Sequence, residues 1–492
     1  MAAGLLSLGF SVSGQAALCY VNGAAETGAN DGSSWDNAYV QLQSALADAG
    51  CTEVWVARGL YKPGTTQTDH FDIRSGTAVY GGFRGDEIVL AQRDPAANPT
   101  ILSADIDDND VDADGNHTDE TTADIVGNNA RHVLTMDGIT GTPITASTVL
   151  DGFVVTAGDA TGTLFPDSVG GGLYCAAVGA GHVCSPTLAT LAFSGNRAVY
   201  GGAIYNDGNA GDSSPTLTRV TFSGNLAGNS GGAIYNDGQS AGVSSPVLTD
   251  IVFTNNLAEY GGAMVNNGES GTSSPTVTKV TFAGNSATYA GAMYNDGIDQ
   301  GVSRPILTNV TFSGNSATYG GAIIDNGMQA GVCAPILDNV TFNGNSANYG
   351  GAIYIYGVGG TSSATLVNVI LWGDAAFYRG AEIYNGGGMP TIGHSVIDGG
   401  LNGNGIDNEN GGIVVDGGGN LARDPILEPL GDNGGFTRTM ALGEGSSAID
   451  SGDDAICPAT DQTGMLRPQG AHCDIGAFEA RADLLFADGF DP

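Results

Sequence analysis

The stretch whose residue types and spacing point most directly to chemistry is Asp110-Val111-Asp112-Ala113-Asp114-Gly115. Carboxylates at alternate positions can converge on one hard cation, and a glycine permits the sharp turn that brings them round. The twelfth position of such a loop is Thr121, where a bidentate glutamate would be needed, with Asp119 and Glu120 beside it. No flanking helices are expected, so this is not an EF-hand. The expected ligands of a Ca2+ ion are Asp110, Asp112, Asp114, Asp119 and Glu120, with Asp105, Asp107 and Asp108 able to extend the set. The competing reading is a solvated acidic loop.

Catalytic signals are weaker. Asp207, Asp237 and Asp296 recur at one position, with Asn267 and Asn326 between them. Such a column of acids would suit a lyase that works with a cation and a basic proton acceptor. The same residues sit in Asn-Asp-Gly stretches, where Asp is favoured for turn formation. The basic residues Arg197, Arg219, Lys279, Arg304 and Arg379 form no column. A hydrolase needs two carboxylates at a set separation, and the sequence does not single out a pair. The six histidines, His132 and His182 among them, show no nucleophile–base spacing, and surface positions are expected for them. No P-loop or dinucleotide fingerprint is present, because the Gly-rich stretches do not open helices.

These residues are carried by a repeat. Phenylalanine recurs at Phe193, Phe222, Phe253, Phe282, Phe312 and Phe342, with Trp372 expected in the seventh place. Three residues after each Phe comes an asparagine, giving Asn196, Asn225, Asn256, Asn285, Asn315 and Asn345. A Gly pair and a short apolar run follow, as in Gly231-Gly232-Ala233-Ile234-Tyr235. Each unit holds three short apolar runs bounded by turn residues, too short for helices and alternating with Thr, which is the period of a strand. Units of about 30 residues built this way stack as coils of a parallel β-helix. Leu188, Leu217, Leu248, Val277, Leu307 and Leu337 then form one inward column, and Ile204, Ile234, Met264, Met293, Ile323, Ile353 and Ile383 another. The asparagines form an inward ladder whose amides satisfy each other and the bend backbone.

Alternation sends Tyr205, Tyr235, Tyr294, Tyr354 and Tyr384 outward, with Thr221, Thr281, Thr311 and Thr341 as a second outward column. The tyrosines read either as sheet-favouring residues stacked on their own kind or as an aromatic strip for sugar rings or a partner.

Composition narrows the partners. Of 492 residues, 52 are acidic and 15 basic, a formal net charge of −37. That excludes nucleic acid, which needs a cationic surface, and repels a bare polyanion unless metal ions bridge it. Apart from the leader, no apolar run approaches the length of a membrane helix. Of the seven cysteines, Cys19 with Cys51, Cys175 with Cys184 and Cys457 with Cys473 are near enough in sequence to pair, leaving Cys333 over. An oxidising, extracellular setting follows.

Along the chain, residues 1–17 look like a signal peptide lacking its basic start, with Gly14-Gln15-Ala16 as the cleavage region. Residues 18–125 read as an N-terminal cap with the first irregular coils and the acidic loop. A helix over Ala38–Ala49, capped by Asp36 or Asn37 and burying Leu42, Ala45 and Leu46, is the expected lid. Residues 126–395 are β-helix repeats, 396–480 a C-terminal cap, and 481–492 a tail that sorts or anchors, or frays.

The Phe-x-Gly-Asn and Gly-Gly-Ala-Ile elements resemble the repeats of the polymorphic outer membrane protein (Pmp) type. Gly32–Tyr39, Val54–Tyr61 and Tyr80–Gly85 are similar to the start of such proteins. Asp424-Pro425, Gly431–Gly435, Ser447–Gly452, Asp461, Arg467-Pro468 and Cys473–Glu479 resemble the choice-of-anchor Q domain. The resemblance implies a right-handed, all-β, pectate-lyase-like solenoid on a secreted or outer-membrane-associated protein of a Gram-negative bacterium. It assigns no reaction. The Pmp membrane barrel has no counterpart here.

The function expected from the sequence is an adhesin-like, non-catalytic, monomeric rod that binds a polysaccharide or a cell-surface or matrix ligand. The alternative is a polysaccharide lyase or glycosidase on the same scaffold. A cleft of convergent acid, Arg and aromatic residues on one face would favour the enzyme.

Overall fold

A computed structural model of the chain describes residues 17–481. The expected leader and most of the expected tail lie outside the described residues. The chain is an all-β, right-handed parallel β-helix, with one α-helix among the described residues, near their start.

Each regular coil contributes one long strand and one short strand. The long strands, such as Thr216–Ser223, Val247–Thr254 and Thr276–Ala283, pair in parallel from coil to coil with no register shift. The short strands, such as Ile204–Asp207 and Ile234–Asp237, do the same and form an eleven-stranded sheet. These two faces and a third, bridged side enclose the lumen.

The lumen is filled by like residues on like. The rings from Phe193 to Phe342 stack at centroid separations of 5.2, 4.9, 4.7, 4.7 and 4.8 Å. Beside them run the Leu/Val and Ile/Met columns, all buried. In each adjacent pair from Asn196 to Asn345, one Asn Nδ2 donates to Oδ1 of the next at 2.8–3.0 Å. From Asn225 on, the same amides donate to a Phe carbonyl of the preceding coil, as Asn285 does to Phe253 at 3.1 Å, and Asn196 donates to Val155 O at 3.0 Å. The bend, where sheet pairing stops, is satisfied in this way.

Two expectations shift by small amounts. Leu371 pairs with Phe342 and takes the seventh ring position, so the insertion-free register displaces Trp372 by one residue into a satellite core. The lid helix spans only Leu42–Ala47, entered from Gln41, while Trp35–Asn37 forms a separate 3-10 turn capped by Ser34. Its buried side chains are Leu42, Ala45 and Leu46, packed onto the first lumen layer.

Residues 437–480 run back along the long face, not over the end of the solenoid. A column of left-handed residues, Thr190 to Asn368, kinks each long strand with φ between 49° and 57°. From it Asn309 donates to Thr460 O at 2.8 Å, and Asn339 to Asp474 O and Gly476 O at 3.0 and 3.1 Å. Thr281, Thr311 and Thr341 are therefore buried, although alternation sends them out of the lumen. They bond Arg438 O, Gln462 and Ala477 N.

Cys19–Cys51 and Cys175–Cys184 are disulfides. Cys457 and Cys473 stand as thiols in hydrogen-bonding contact. Cys333 fills a place in a buried column otherwise held by Ser213, Ser244, Ser273, Ser303 and Ser362.

Candidate functional site

The returning segment covers the long face at the coils of Thr281, Thr311 and Thr341, and the short face carries its outward side chains along most of the solenoid. Its outward positions form two rows. Register links Asp72, Thr135, Tyr174, Tyr205, Tyr235, Val265, Tyr294, Ile324, Tyr354 and Tyr384 in one. Asp137, Ala176, Asp207, Asp237, Asn267, Asp296 and Asn326 make the other.

The rows are tied diagonally. Tyr174 and Tyr205 donate their hydroxyls to Asp207 and Asp237 of the next coil at 2.9 and 2.7 Å. Where the partner is an amide the direction reverses: Asn267 and Asn326 donate to Tyr235 and Tyr294 at 2.6 and 3.0 Å. Burial pushes Asp207 and Asp296 up to about 7, with the neighbouring Asp237 adding to the effect at Asp207. These acids end strands and also serve the turns expected of the Asn-Asp-Gly stretches: Oδ1 of Asp207, Asp237 and Asp296 accepts from the backbone N–H two residues on at 3.4, 3.2 and 3.3 Å. The asparagine before each is also structural: Asn206, Asn236, Asn266 and Asn295 form a second lumen ladder, ending on Asp325.

Tyr205, Tyr235 and Tyr384 are buried, and Tyr294 and Tyr354 half-buried. A further tyrosine column, unread in the sequence, lies over them. Tyr260, Tyr289, Tyr319, Tyr349 and Tyr378 stack along the solenoid at 4.7, 5.3, 5.5 and 5.2 Å. Their edges meet the inner row, as Tyr260 meets Tyr294 and Tyr319 meets Tyr354. The 29- and 30-residue spacing of these tyrosines, all but Tyr378 just ahead of a Gly or Ala in the pair before the apolar run, was the available signal. Together the two columns line a groove of about 390 Å³. At about 4.8 Å per coil the outer rings span roughly 19 Å.

Toward the N-terminus the same face opens into a cleft of about 480 Å³ lined by His70, Arg131, His132, Asp137, Asp167 and Tyr174, among others. Asp137 also lines the adjoining hollow, with Asp72 and Arg74. Arg131 pairs with Asp167 at 2.6 Å. His132 is buried, contrary to the surface position expected. Its Nδ1–H donates to Gly170 O at 3.0 Å, its ring lies 5.8 Å from Tyr174, and burial lowers its pKa, keeping it neutral.

The two carboxylates of this saddle are driven apart. Desolvation at the cleft wall raises Asp72, His70 opposes this, and the Asp137 charge adds to it. Asp137 is itself lowered: hydrogen bonds from Thr140 and Ile139 outweigh its desolvation. A carboxyl raised beside one that is lowered is the ordering used where one group protonates a leaving group and the other assists attack on the opposite side.

The acidic loop folds against the ends of the long strands, where Asp119 meets Thr156 and Ser194. Asp105, Asp108, Asp110, Asp112, His117 and Asp119 line a pocket of about 250 Å³. Asp114 and Glu120 lie outside it, both accepting from the Asn116 side-chain amide at 3.0 and 2.9 Å. Asp112 is taken up by Gly115, Asn116 and His117 N–H groups. Burial and the Asp110 charge push Asp119 up to about 8. Among the described residues no three acidic, His or Cys side chains already converge on one metal-sized point.

The residues of the C-terminal segment quoted for its resemblance are structural. Asp461 accepts from Met465 N and Glu479 N, Glu479 from Gln469 N and Asp474 N, and Arg467 donates to Asp474 O and Gly476 O. They fix a loop-rich segment that has little core of its own.

The chlamydial polymorphic membrane protein repeat (Chlamydia_PMP) matches residues 190–207, 219–237, 309–323 and 339–356. Those stretches hold the Phe–Asn bends and short strands, and leave the cleft, the acidic loop and the C-terminal segment outside the match. No curated protein matches the chain. The crystal structure of pectate lyase Pel9A is similar over 94% of this chain and 96% of that one, with 13% identity and a TM-score of 0.45. Among the described residues no helix is long and apolar enough to cross a membrane.

Proposed function

We propose that this protein is an extracellular polysaccharide-degrading β-helix of a bacterial cell surface. It seats an extended glycan along the tyrosine groove of the short face and cleaves it at the N-terminal saddle. The observation that carries this reading is that the inner row, from Tyr294 in the groove back to Tyr174 in the cleft wall, runs along one sheet toward the place where acids, Arg131 and His132 meet. In it Asp72 serves as the acid and Asp137 as the base or nucleophile, with Arg131 and His70 orienting the sugar. Two disulfides suit the oxidising exterior. The C-terminal segment, resembling the choice-of-anchor Q domain, acts as a rigid brace on the long face, away from the glycan path.

A second reading, the adhesin-like rod that binds without cleaving, is favoured by one detail. Both Asp137 oxygens already accept from its own loop, Oδ1 from Ile139 N and Thr140 N and Oδ2 from Thr140 Oγ1, as expected of a purely structural acid.

Incubating the full chain with neutral and acidic polysaccharides, with and without Ca2+, and following product length separates the two. Shortened products support the enzyme, and unsaturated ends would assign a lyase step in place of hydrolysis. Retention of the protein on a glycan without shortening supports the rod.

A further inference from the structure

The loop between Ser103 and Gly127 is long and acidic, and its backbone docks on the coils at Asp119. Asp119 donates its N–H to Thr156 Oγ1 at 3.0 Å and accepts from Ser194 Oγ at 2.7 Å, so two coils grip its backbone. The approach is close: a Cβ on Gly195 would sit 2.5 Å from Asp119 O, and one on Gly224 2.1 Å from Glu120 O.

The Asp119 side chain is not satisfied by this docking. The residue is 5% exposed and its Oδ2 has no hydrogen-bond partner. Its carboxyl lies within hydrogen-bonding reach of that of Asp110. Asp110 is fixed in turn by Val126 N at 2.5 Å and Asn129 Nδ2 at 2.6 Å. Asp105 and Asp112 line the same pocket, and Asp105 lies 3.7 Å from Lys62 Nζ, which also pairs with Asp108. Five carboxyl groups thus face one ammonium group and His117. A buried carboxylate beside another needs a counter-charge.

We propose that Asp105, Asp110 and Asp119 hold a divalent hard cation, Ca2+ by preference, with Asp112 completing the shell. The ion clamps the acidic loop to the coils. An all-oxygen set selects Ca2+ over softer metals, and a flexible loop with several carboxylates selects it over Mg2+. Asp110 and Asp119 already meet, while Asp105 and Asp112 close by side-chain rotation. The ligand set differs from the alternate-carboxylate pattern of the sequence, since Asp114 and Glu120 point to Asn116. The clamp is independent of glycan cleavage.

The test is calorimetric titration of the EDTA-stripped full chain with CaCl2 and with MgCl2, alongside thermal unfolding and limited proteolysis of the 104–127 loop. The expected result is one Ca2+ site, a higher Tm and protection of the loop, with Mg2+ weaker. Asp119→Asn and Asp105→Asn should each weaken Ca2+ binding by about tenfold or more, while Asp114→Asn leaves it unchanged. Circular dichroism checks that each variant is folded, and a misfolded Asp119→Asn leaves Asp105→Asn to decide. Absence of Ca2+ heat and of any Tm shift would overturn the proposal. So would wild-type affinity in Asp105→Asn or Asp119→Asn, or loss of binding in Asp114→Asn.

Discussion

Tyr205 donates its hydroxyl to Asp237 of the next coil at 2.7 Å, and the same step one coil on has Asn267 donating to Tyr235. The position accepts either residue because the phenol can donate or accept. Burial separates the two choices. Asp207 and Asp296 are raised to about 7, and Asp237 is raised by burial against the pull of the Tyr205 hydroxyl. The folded chain therefore keeps protons that the unfolded chain has lost. This contribution to stability is full below the ordinary carboxylate value and falls as pH rises toward about 7. A triple Asp207→Asn, Asp237→Asn, Asp296→Asn variant should flatten that decline. Its Tm should match the wild type at pH 4 and exceed it by several degrees at pH 8, at roughly 2–4 °C per kcal/mol. Thermal scans across pH check this.

The asparagine ladder is the fold's least replaceable feature. Asn285→Ala would take from Asn256 N–H its acceptor and from Phe253 O its side-chain donor inside the lumen, and leave Asn256 Nδ2 with Phe222 O alone and Asn315 Oδ1 with the backbone N–H of residue 285 alone. A loss of about 3 kcal/mol or more is expected, read as a fall in the denaturant midpoint. Asn→Asp at one rung should be milder at low pH, where the protonated acid can still donate.

Gln462 pins the C-terminal segment to the long face through Thr281 Oγ1 and Thr311 Oγ1, both at 2.8 Å, and is steadied within the segment by Thr437 Oγ1 at 2.9 Å. Gln462→Ala should raise amide exchange in residues 437–480 and around Thr281 and Thr311, while the short face keeps its protection. Hydrogen-exchange mass spectrometry checks this. Exchange spreading evenly over both faces would contradict it.

Glycan contact should fall on the outer rings. Tyr289→Ala and Tyr319→Ala should each weaken glycan retention about fivefold, the ~1 kcal/mol of one aromatic face, with little change in Tm. Tyr235→Ala, buried beneath them, should act through stability instead. Affinity electrophoresis at constant pH, paired with thermal scans, separates the two effects.

The coils were legible in the sequence because stacking forces like residues into register, so period and composition reveal each column. Phe222 above Phe193 and Asn225 above Asn196 are visible as spacing alone. The saddle was not legible. Asp72 and Asp137 are 65 residues apart and share no motif, and they meet only because Phe71 and Asp72 pair with Leu134 and Thr135 across a long insertion. Burial of Thr281, Thr311 and Thr341 was hidden for a similar reason: strand alternation says which side a residue faces, but not what chain returns to cover it.

The most direct measurement compares the chain length of a polysaccharide after incubation with the wild type, Asp72→Asn and Asp137→Asn, each verified as folded. The account predicts shortened products from the wild type and a loss of about 100-fold or more in either variant, the usual weight of a general acid or base. Unchanged chain length across the panel, or variants that cleave as the wild type does, would contradict it.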